Sequence, residues 1–112
     1  MNAHRGEVWL VDFGEPVGHE QSGRRPAVVV SADPLNESRA GIVIVVPTTT
    51  TPRGLPSQVE IDPISSGLDE VSYAKCEDVK SISEQRLIAH LGRVSDTALF
   101  EVARVLRYLL NI

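Results

Sequence analysis

Two short segments carry the side chains best suited to phosphate chemistry. Arg24 and Arg25 stand directly before Pro26, where an apolar run begins, and Thr48 and Thr49 end the next long apolar run. A guanidinium offers a rigid fork of donors for phosphate oxygens, and a threonine hydroxyl adds a neutral donor. Because a residue before proline is restricted to an extended backbone, Arg25 should have a fixed direction at its strand's entry. If the two strands are neighbours, Arg25 and Thr48 meet at one rim.

Other reactive side chains give no comparable pattern. His4 and His90 have no Cys, Asp or His partner at metal-ligand spacing, which argues against a metal site. Cys76 is the one cysteine, so the chain has no disulfide partner for it, and we interpret it as a small core residue rather than a nucleophile. Trp9 is interpreted as a core or dimer-interface residue, and the few aromatic residues argue against an extended base-stacking platform.

Composition limits the class of protein. The chain has 112 residues, enough for one domain with one core, and 42% of them are hydrophobic. The net charge of −4 argues against a general nucleic-acid coat. A local basic site is still allowed, because screening limits charge effects to about 8–10 Å. No signal peptide or membrane-spanning stretch is visible, so we predict a cytoplasmic protein.

The apolar pattern predicts a mostly β (α+β) fold. Short β-prone runs bounded by turn residues predict about six to seven strands, at 8–11, 26–30, 42–46, 58–62, one bent or two short strands in 71–82, and 87–94. One helical turn is expected around Asn36. The capping-box spacing of Ser81 and Glu84 predicts the start of a short helix.

The C-terminal segment predicts an amphipathic helix. Ser95 can cap its N-terminus, and Arg104 and Arg107 lie off its apolar stripe. That stripe consists of Leu99, Val102, Ala103, Leu106 and Leu110. Short strands covered by one terminal helix favour a partly open antiparallel barrel.

Five sequence blocks resemble the MazF/PemK toxins. They are RGEVWLVD at 5–12, GHEQSGRRPAVVVS at 18–31, VVPTT at 45–49, DVKSI at 78–82 and LGRV at 91–94. The resemblance spans almost the whole chain and implies a single MazF-like toxin domain over residues 1–112. It also implies the small SH3-like barrel that this family shares with the gyrase-poisoning toxin CcdB.

The resemblance implies an activity and partners. Toxins of this family are sequence-specific, ribosome-independent endoribonucleases that need no cofactor or metal. Their substrate is single-stranded RNA, cut through the neighbouring 2′-hydroxyl to leave a 2′,3′-cyclic phosphate and a 5′-hydroxyl. The implied protein partners are a cognate antitoxin and a second copy, in a homodimer with RNA grooves at the subunit interface.

Family roles map onto individual residues. The catalytic arginine corresponds to Arg25 and the catalytic threonine to Thr48. Glu20 is a candidate general base, and His19 is a candidate acid or base because imidazole titrates near neutrality. His19 stands where the family often has serine, a departure that bears on the loop's contacts. The predicted RNA-binding residues are His19, Gln21, Arg24, Thr49, Arg53, Asp78, Lys80 and Arg86.

The sequence leaves two other functions open. A toxin of the same fold could bind DNA gyrase and cut nothing, an interpretation that rests on the end of the C-terminal helix at 108–112. A binding module that holds RNA without cutting it is the other. Arg25 with Thr48, and the loop with Glu20 and Gln21, favour the nuclease.

Overall fold

The computed structural model describes residues 2–15, 18 and 23–112. Within those residues the chain forms seven strands and two helices: β1 Glu7–Asp12, β2 Arg24–Val29, α1 Asp33–Asn36, β3 Ile42–Thr49, β4 Gln58–Ile61, β5 Ser72–Lys75, β6 Lys80–Ser83, β7 Leu87–Arg93 and α2 Asp96–Leu110. Single 3₁₀ turns at Cys76–Asp78 and Glu84–Arg86 join β5 to β6 and β6 to β7. No helix in the described part of the chain is long and apolar enough to cross a membrane.

The strands form one antiparallel sheet in the order β4-β5-β3-β2-β1-β7, with β6 also paired to β3. β3 changes partner along its length, since Ile42 to Val45 pair with β6 whereas Thr48 and Thr49 pair with β5. Between the described strands no pairing joins β4 to β7, so the sheet stays open. The predicted mostly β fold, a partly open antiparallel barrel with a C-terminal helix, is confirmed.

β2 begins earlier than its apolar run predicts. It starts at Arg24 rather than at Pro26, and both arginines pair with β1. Pro26 is therefore the third residue of the strand and not the first. The reason is that pairing to the end of β1 extends the strand into a solvent-exposed end, where no apolar side chain is needed.

The sheet is buried on both of its faces. Val28 packs in one core cluster, which α2 completes with Val102 and Val105. Val29, the next residue of β2, packs in the other cluster beside Trp9. Because successive side chains of a strand point to opposite faces, this pair shows that β2 is buried on both sides, as its continuous apolar run predicts. Trp9 is a core residue, with 5% of its surface exposed.

The C-terminal helix begins as predicted but buries a slightly different stripe. Ser95 Oγ accepts a hydrogen bond from the Ala98 N–H at 3.1 Å, which is the expected N-cap. Val105 is buried although it is not in the predicted stripe, and Leu110 is 56% exposed. The buried stripe runs through Val102 and Val105, and it does not continue to Leu110 in the last turn of α2.

The short helix predicted from Ser81 and Glu84 is present only as the 3₁₀ turn Glu84–Arg86, and Ser81 is not its cap. Ser81 lies inside β6 opposite Ile44, because the pairing with β3 continues as far as Ser83. Ser83 caps the single 3₁₀ turn that follows, and its Oγ accepts from the Gln85 N–H at 3.2 Å. Tertiary pairing outweighs the local capping signal here. The turn expected around Asn36 is present as α1.

Glu7 is the centre of a polar cluster where β1 pairs with β7. Its Oε1 atom accepts hydrogen bonds from the His4 backbone N–H at 2.7 Å and from Trp9 Nε1–H at 3.0 Å. His4 Nδ1 and His90 Nε2 lie 3.5 and 3.4 Å from its Oε2 atom. Partial burial acts to raise the pKa of Glu7, but the hydrogen bonds from Trp9 and His4 and the two imidazoles hold that pKa below its usual range.

We expect Glu7→Gln to lower the free energy of unfolding by about 1–2 kcal/mol near pH 7, because hydrogen bonds to a carboxylate are stronger than those to an amide. A carboxylate with a lowered folded pKa stabilises the fold above its unfolded pKa, about 4.3, and loses that contribution as the pH falls through the folded value. Urea unfolding should therefore show the difference shrinking below about pH 4. Glu60→Gln, at an exposed position of β4, is the control. Equal losses for both variants near pH 7 contradict this account.

Candidate functional site

Arg24 and Arg25 occupy the first two positions of β2, and both are exposed. Arg24 pairs with Asp12 and Arg25 pairs with Val11, at the end of β1. The expectation that Arg25 has a fixed backbone direction is met, because the strand pairing holds it. A rigid backbone under an exposed guanidinium is what preorganised anion recognition requires.

Backbone hydrogen bonds close a neck just before the two arginines in the chain. The Phe13 N–H donates to Gly23 O, and the Gly23 N–H donates to Gly14 O, both at 2.8 Å. The Gly14 N–H donates to Asp12 Oδ1 at 2.9 Å. These bonds hold the two ends of the β1–β2 connection together, so Gly23 delivers the chain to Arg24 at a defined place.

Thr48 is brought to the arginines by the neighbouring strand. The predicted adjacency of the second and third strands is observed, with Ala27 opposite Pro47. Thr48 Oγ1–H donates to Pro26 O at 3.0 Å, and Pro26 directly follows Arg25. Thr48 is only 2% exposed. Its hydroxyl hydrogen is thus engaged with a carbonyl, and donating to a bound anion requires the hydroxyl to rotate away from it.

Lys80 and Arg86 add two cations beside the neck. Lys80 Nζ lies 5.9 Å from the centroid of the Phe13 ring. Arg86 Nη1–H donates to Asp12 O at 3.0 Å. A cleft of about 190 Å³ lies between them, lined by Phe13, Lys80, Ser81, Ile82, Ser83 and Arg86.

We call Arg24, Arg25, Lys80 and Arg86 the basic rim. They are joined through consecutive residues at the end of β1, because Asp12 contacts Arg24 and Arg86 and Phe13 contacts Lys80. The rim is local, since the whole chain carries a net charge of −4. This arrangement suits attraction of an anionic polymer at this end of the sheet rather than over the whole surface.

The other predicted contact residues lie around β3 and β5. Thr49 pairs with Tyr73 of β5. Asp78 Oδ2 forms an ion pair with Lys75 Nζ at 2.8 Å, so its carboxylate already has a cationic partner. Arg53 is exposed in the β3–β4 loop, where its backbone N–H donates to Gln58 Oε1 at 2.8 Å. The structure thus groups Arg24, Lys80 and Arg86 with Arg25, and leaves Asp78 engaged elsewhere.

Three predicted loop residues, His19, Glu20 and Gln21, lie outside the described residues. Their predicted roles therefore stay predictions.

Sequence reasoning missed Phe13, Ser81 and Ser83 as cleft residues. In the sequence Phe13 was not distinguishable from an ordinary loop residue. Its contact with Lys80 forms only because the fold brings the end of β1 close to the start of β6. The alternation of Ser81, Ile82 and Ser83 around one buried isoleucine was the available signal, since it marks two polar side chains on the open face of β6.

A larger concavity lies on the helix side of the sheet. It measures about 390 Å³ and is lined mainly by β4 and α2. Its charged lining residues are Glu60, Asp62, Glu101 and Arg104, and Arg104 already pairs with Glu101 at 2.9 Å. An acidic lining repels phosphate, so size alone does not make this the site.

Cys76 is confirmed as a core residue. It is fully buried, and burial followed by the charge of Glu77 raises the pKa of its thiol to about 12. Only the thiolate is a good nucleophile. This thiol is therefore unsuited to covalent catalysis.

We expect Cys76 in the folded protein to react with an aromatic disulfide reagent at least about 10³-fold more slowly than in urea, because few thiolates form and the sulfur is covered. Absorbance of the released thiol measures both rates. Rapid labelling without unfolding contradicts the assignment of Cys76 to the core.

A family-level comparison matches almost the whole chain. The protein-family model described as "PemK-like, MazF-like toxin of type II toxin-antitoxin system" matches residues 4–110. Endoribonuclease MazF9 from Mycobacterium tuberculosis is 35% identical over 113 residues, covering 96% of each chain. Endoribonuclease EndoA from Bacillus subtilis is 32% identical over 108 residues, covering 96% of this chain and 93% of EndoA.

Solved structures agree with the sequence comparison. A crystal structure of MazF from Deinococcus radiodurans has a TM-score of 0.86 at 26% identity and covers 100% of this chain and 99% of its own. An endoribonuclease from Mycobacterial species, solved in complex with its cognate antitoxin, has a TM-score of 0.82 at 25% identity. That match covers 98% of this chain and 96% of the other.

Proposed function

Since the chain belongs to the PemK-like, MazF-like toxins of type II toxin–antitoxin systems, we propose that it is an endoribonuclease that cuts single-stranded RNA at the basic rim. The observation that carries the proposal is the junction of β2 and β3. There the Thr48 hydroxyl contacts the carbonyl of Pro26, next to Arg25. The endoribonuclease names of the relatives support the same activity.

The proposed reaction is a transesterification that needs no metal. The 2′-oxygen attacks phosphorus, its proton passes to a base, the bond from phosphorus to the 5′-oxygen breaks, and the leaving oxygen takes a proton. The products are a 2′,3′-cyclic phosphate and a 5′-hydroxyl. Negative charge builds on the phosphorane, so a fixed donor accelerates the reaction only where it binds that charge better than the starting phosphate.

Arg25 and Thr48 are assigned to that charge. The Arg25 guanidinium supplies a permanent cation on a held backbone, and it cannot serve as a base because it stays protonated in proteins. Thr48 supplies a neutral donor once its hydroxyl leaves Pro26 O. Glu20 is the candidate base and His19 the candidate acid or base.

RNA binding is assigned to a wider set of side chains. Unpaired bases can be splayed and read on their edges by loops, so base recognition is expected from loop residues rather than from the sheet. Phosphate contacts are expected from cations. The proposed contacts come from His19, Gln21, Arg24, Thr49, Arg53, Asp78, Lys80 and Arg86. For Asp78 this requires RNA to compete with the Lys75 ion pair.

The proposed partners follow from the family and from the rim. A mycobacterial endoribonuclease similar to this chain was solved with its cognate antitoxin. We propose an acidic or amphipathic antitoxin segment that competes with RNA for the rim, and a homodimer of one-domain chains. The proposal puts the protein in the cytoplasm with its RNA.

The test is cleavage of a long, end-labelled single-stranded RNA by the antitoxin-free protein in excess EDTA, with the cuts mapped by primer extension. We expect discrete cuts at a recurring short sequence. Uniform degradation contradicts sequence specificity, and cutting restored only by added metal contradicts metal independence. A folded protein that cuts nothing overturns the nuclease proposal and favours gyrase binding, which a supercoiling assay would reveal.

A further inference from the structure

We propose that Arg86 is a positioning residue for Arg25, acting through the peptide group that joins Asp12 to Phe13. The inference rests on the proposed function, because it assumes that Arg25 takes part in RNA cleavage. It also revises the role of Arg86, which the sequence assigns to RNA binding.

The Asp12–Phe13 peptide is held from both sides. Its carbonyl accepts from Arg86 Nη1–H at 3.0 Å, and its N–H donates to Gly23 O at 2.8 Å. β1 lies between β7 and β2 in the sheet, so the first bond ties the peptide toward β7 and the second ties it toward β2. Gly23 is the residue immediately before Arg24.

The Arg86 side chain extends the β1–β7 ladder beyond its end. The pairing of β1 with β7 stops at Val11 opposite Leu87, and Arg86 precedes Leu87. Asp12 has therefore passed the last backbone pair, and the Arg86 guanidinium supplies its carbonyl with a donor. Val11 also pairs with Arg25 on the other side, so Leu87, Val11 and Arg25 form one row across three strands.

The guanidinium fits closely at this place. A Cβ atom on Gly14 would lie 3.3 Å from Arg86 Nη1, so the side chain rests against the bare backbone of Gly14. Together these contacts keep the end of β1 in register with the start of β2, where Arg25 stands. We call these contacts of Arg86 the clamp. Without the clamp, the row can shift at its exposed end, although every buried apolar side chain stays in place.

The experiment compares Arg86→Met with Arg39→Met, which removes the same charge at an exposed position after α1. The substrate is a short RNA carrying the first mapped cut site. Affinity and its salt dependence are measured with the same RNA methylated on the reacting 2′-oxygen, which cannot be cut. Amide hydrogen exchange of Phe13 reports on the clamp independently of activity.

For Arg86→Met we expect single-turnover cleavage to fall about 10²-fold, as for a misplacement of about 1 Å. If Arg86 acts as a positioning residue and not as the RNA contact named above, RNA affinity and its salt slope should stay at the Arg39→Met values, and Phe13 amide protection should fall. Weakened affinity with a slope reduced by about 0.7, and unchanged cleavage of bound RNA, instead makes Arg86 a phosphate contact and overturns the proposal. Unchanged Phe13 protection also overturns it. If wild type and Arg39→Met both fail to cut, the nuclease proposal has failed, and the exchange result alone decides whether the clamp exists.

Discussion

Arg25→Ala should reduce single-turnover RNA cleavage by about 10²–10³-fold, the usual loss when one preorganised transition-state donor is removed. The fold should survive, because Arg25 is exposed and its neighbours in β2 keep their pairing. Circular dichroism and the urea midpoint verify that survival. The loss should fall on the rate for bound RNA rather than on affinity, since the charge that Arg25 meets grows only in the transition state.

Two companion variants sharpen this prediction. Arg24→Ala removes an equal charge from the neighbouring position of β2, which pairs with Asp12, and should weaken binding more than it slows cleavage. Arg25→Lys keeps the charge but loses the planar fork, so it should recover only part of the rate. If Arg24→Ala and Arg25→Ala give the same loss, the rim works as a field of positive charge and Arg25 has no special position.

Gly67→Ala and Gly92→Ala should each lower the free energy of unfolding by about 4 kcal/mol or more. Single substitutions cost this much only when they cause a severe disruption such as a steric overlap. A Cβ on Gly67 would lie 2.0 Å from the Leu91 backbone oxygen, and one on Gly92 would lie 2.4 Å from the Ser66 carbonyl carbon. Gly67 approaches Leu91, and Gly92 approaches the Ser65–Ser66 backbone, where the segment after β4 passes β7. Ser65 O accepts from the Arg93 N–H at 2.9 Å there, so neither backbone can easily move aside.

Gly41→Ala separates the close approach from the cost of the backbone conformation. Gly41 has φ +68°, near the +78° of Gly67, but apart from its chain neighbours no heavy atom of the described residues lies within 4 Å of its would-be Cβ. Its replacement should cost only about 1–2 kcal/mol. Urea unfolding measures all three variants. Similar losses for Gly41→Ala and Gly67→Ala contradict the claim that the crossing is sterically closed.

The pattern of apolar runs was sufficient to predict most elements of the fold. A short run of β-branched residues such as Ile42–Val46 favours a buried strand, and Ser95 before a 3.6-residue stripe favours a capped helix. The predictions failed where tertiary pairing decides the outcome. Ser81 and Glu84 have the spacing of a helix start, yet the β3 pairing holds Ser81 in a strand.

The candidate site was predictable only in part. Arg25 and Thr48 could be singled out because each stands at the end of an apolar run and because both match motif positions of the MazF/PemK toxins. The contacts that organise them were not visible, since Arg86 and Asp12 are 74 residues apart and Thr48 and Pro26 are 22 apart. The approach of His90 to Glu7 was missed for the same reason, because it depends on the β1–β7 register.

Attack by the 2′-hydroxyl is tested most directly with one RNA that carries a single mapped cut site, with the 2′-hydroxyl replaced by hydrogen only at the reacting nucleotide. We expect the unmodified RNA to be cut in EDTA to a 2′,3′-cyclic phosphate and a 5′-hydroxyl, whereas the deoxy-substituted RNA binds equally well and stays intact. Cutting of the substituted RNA at the same bond, or products bearing a 5′-phosphate, would contradict that mechanism.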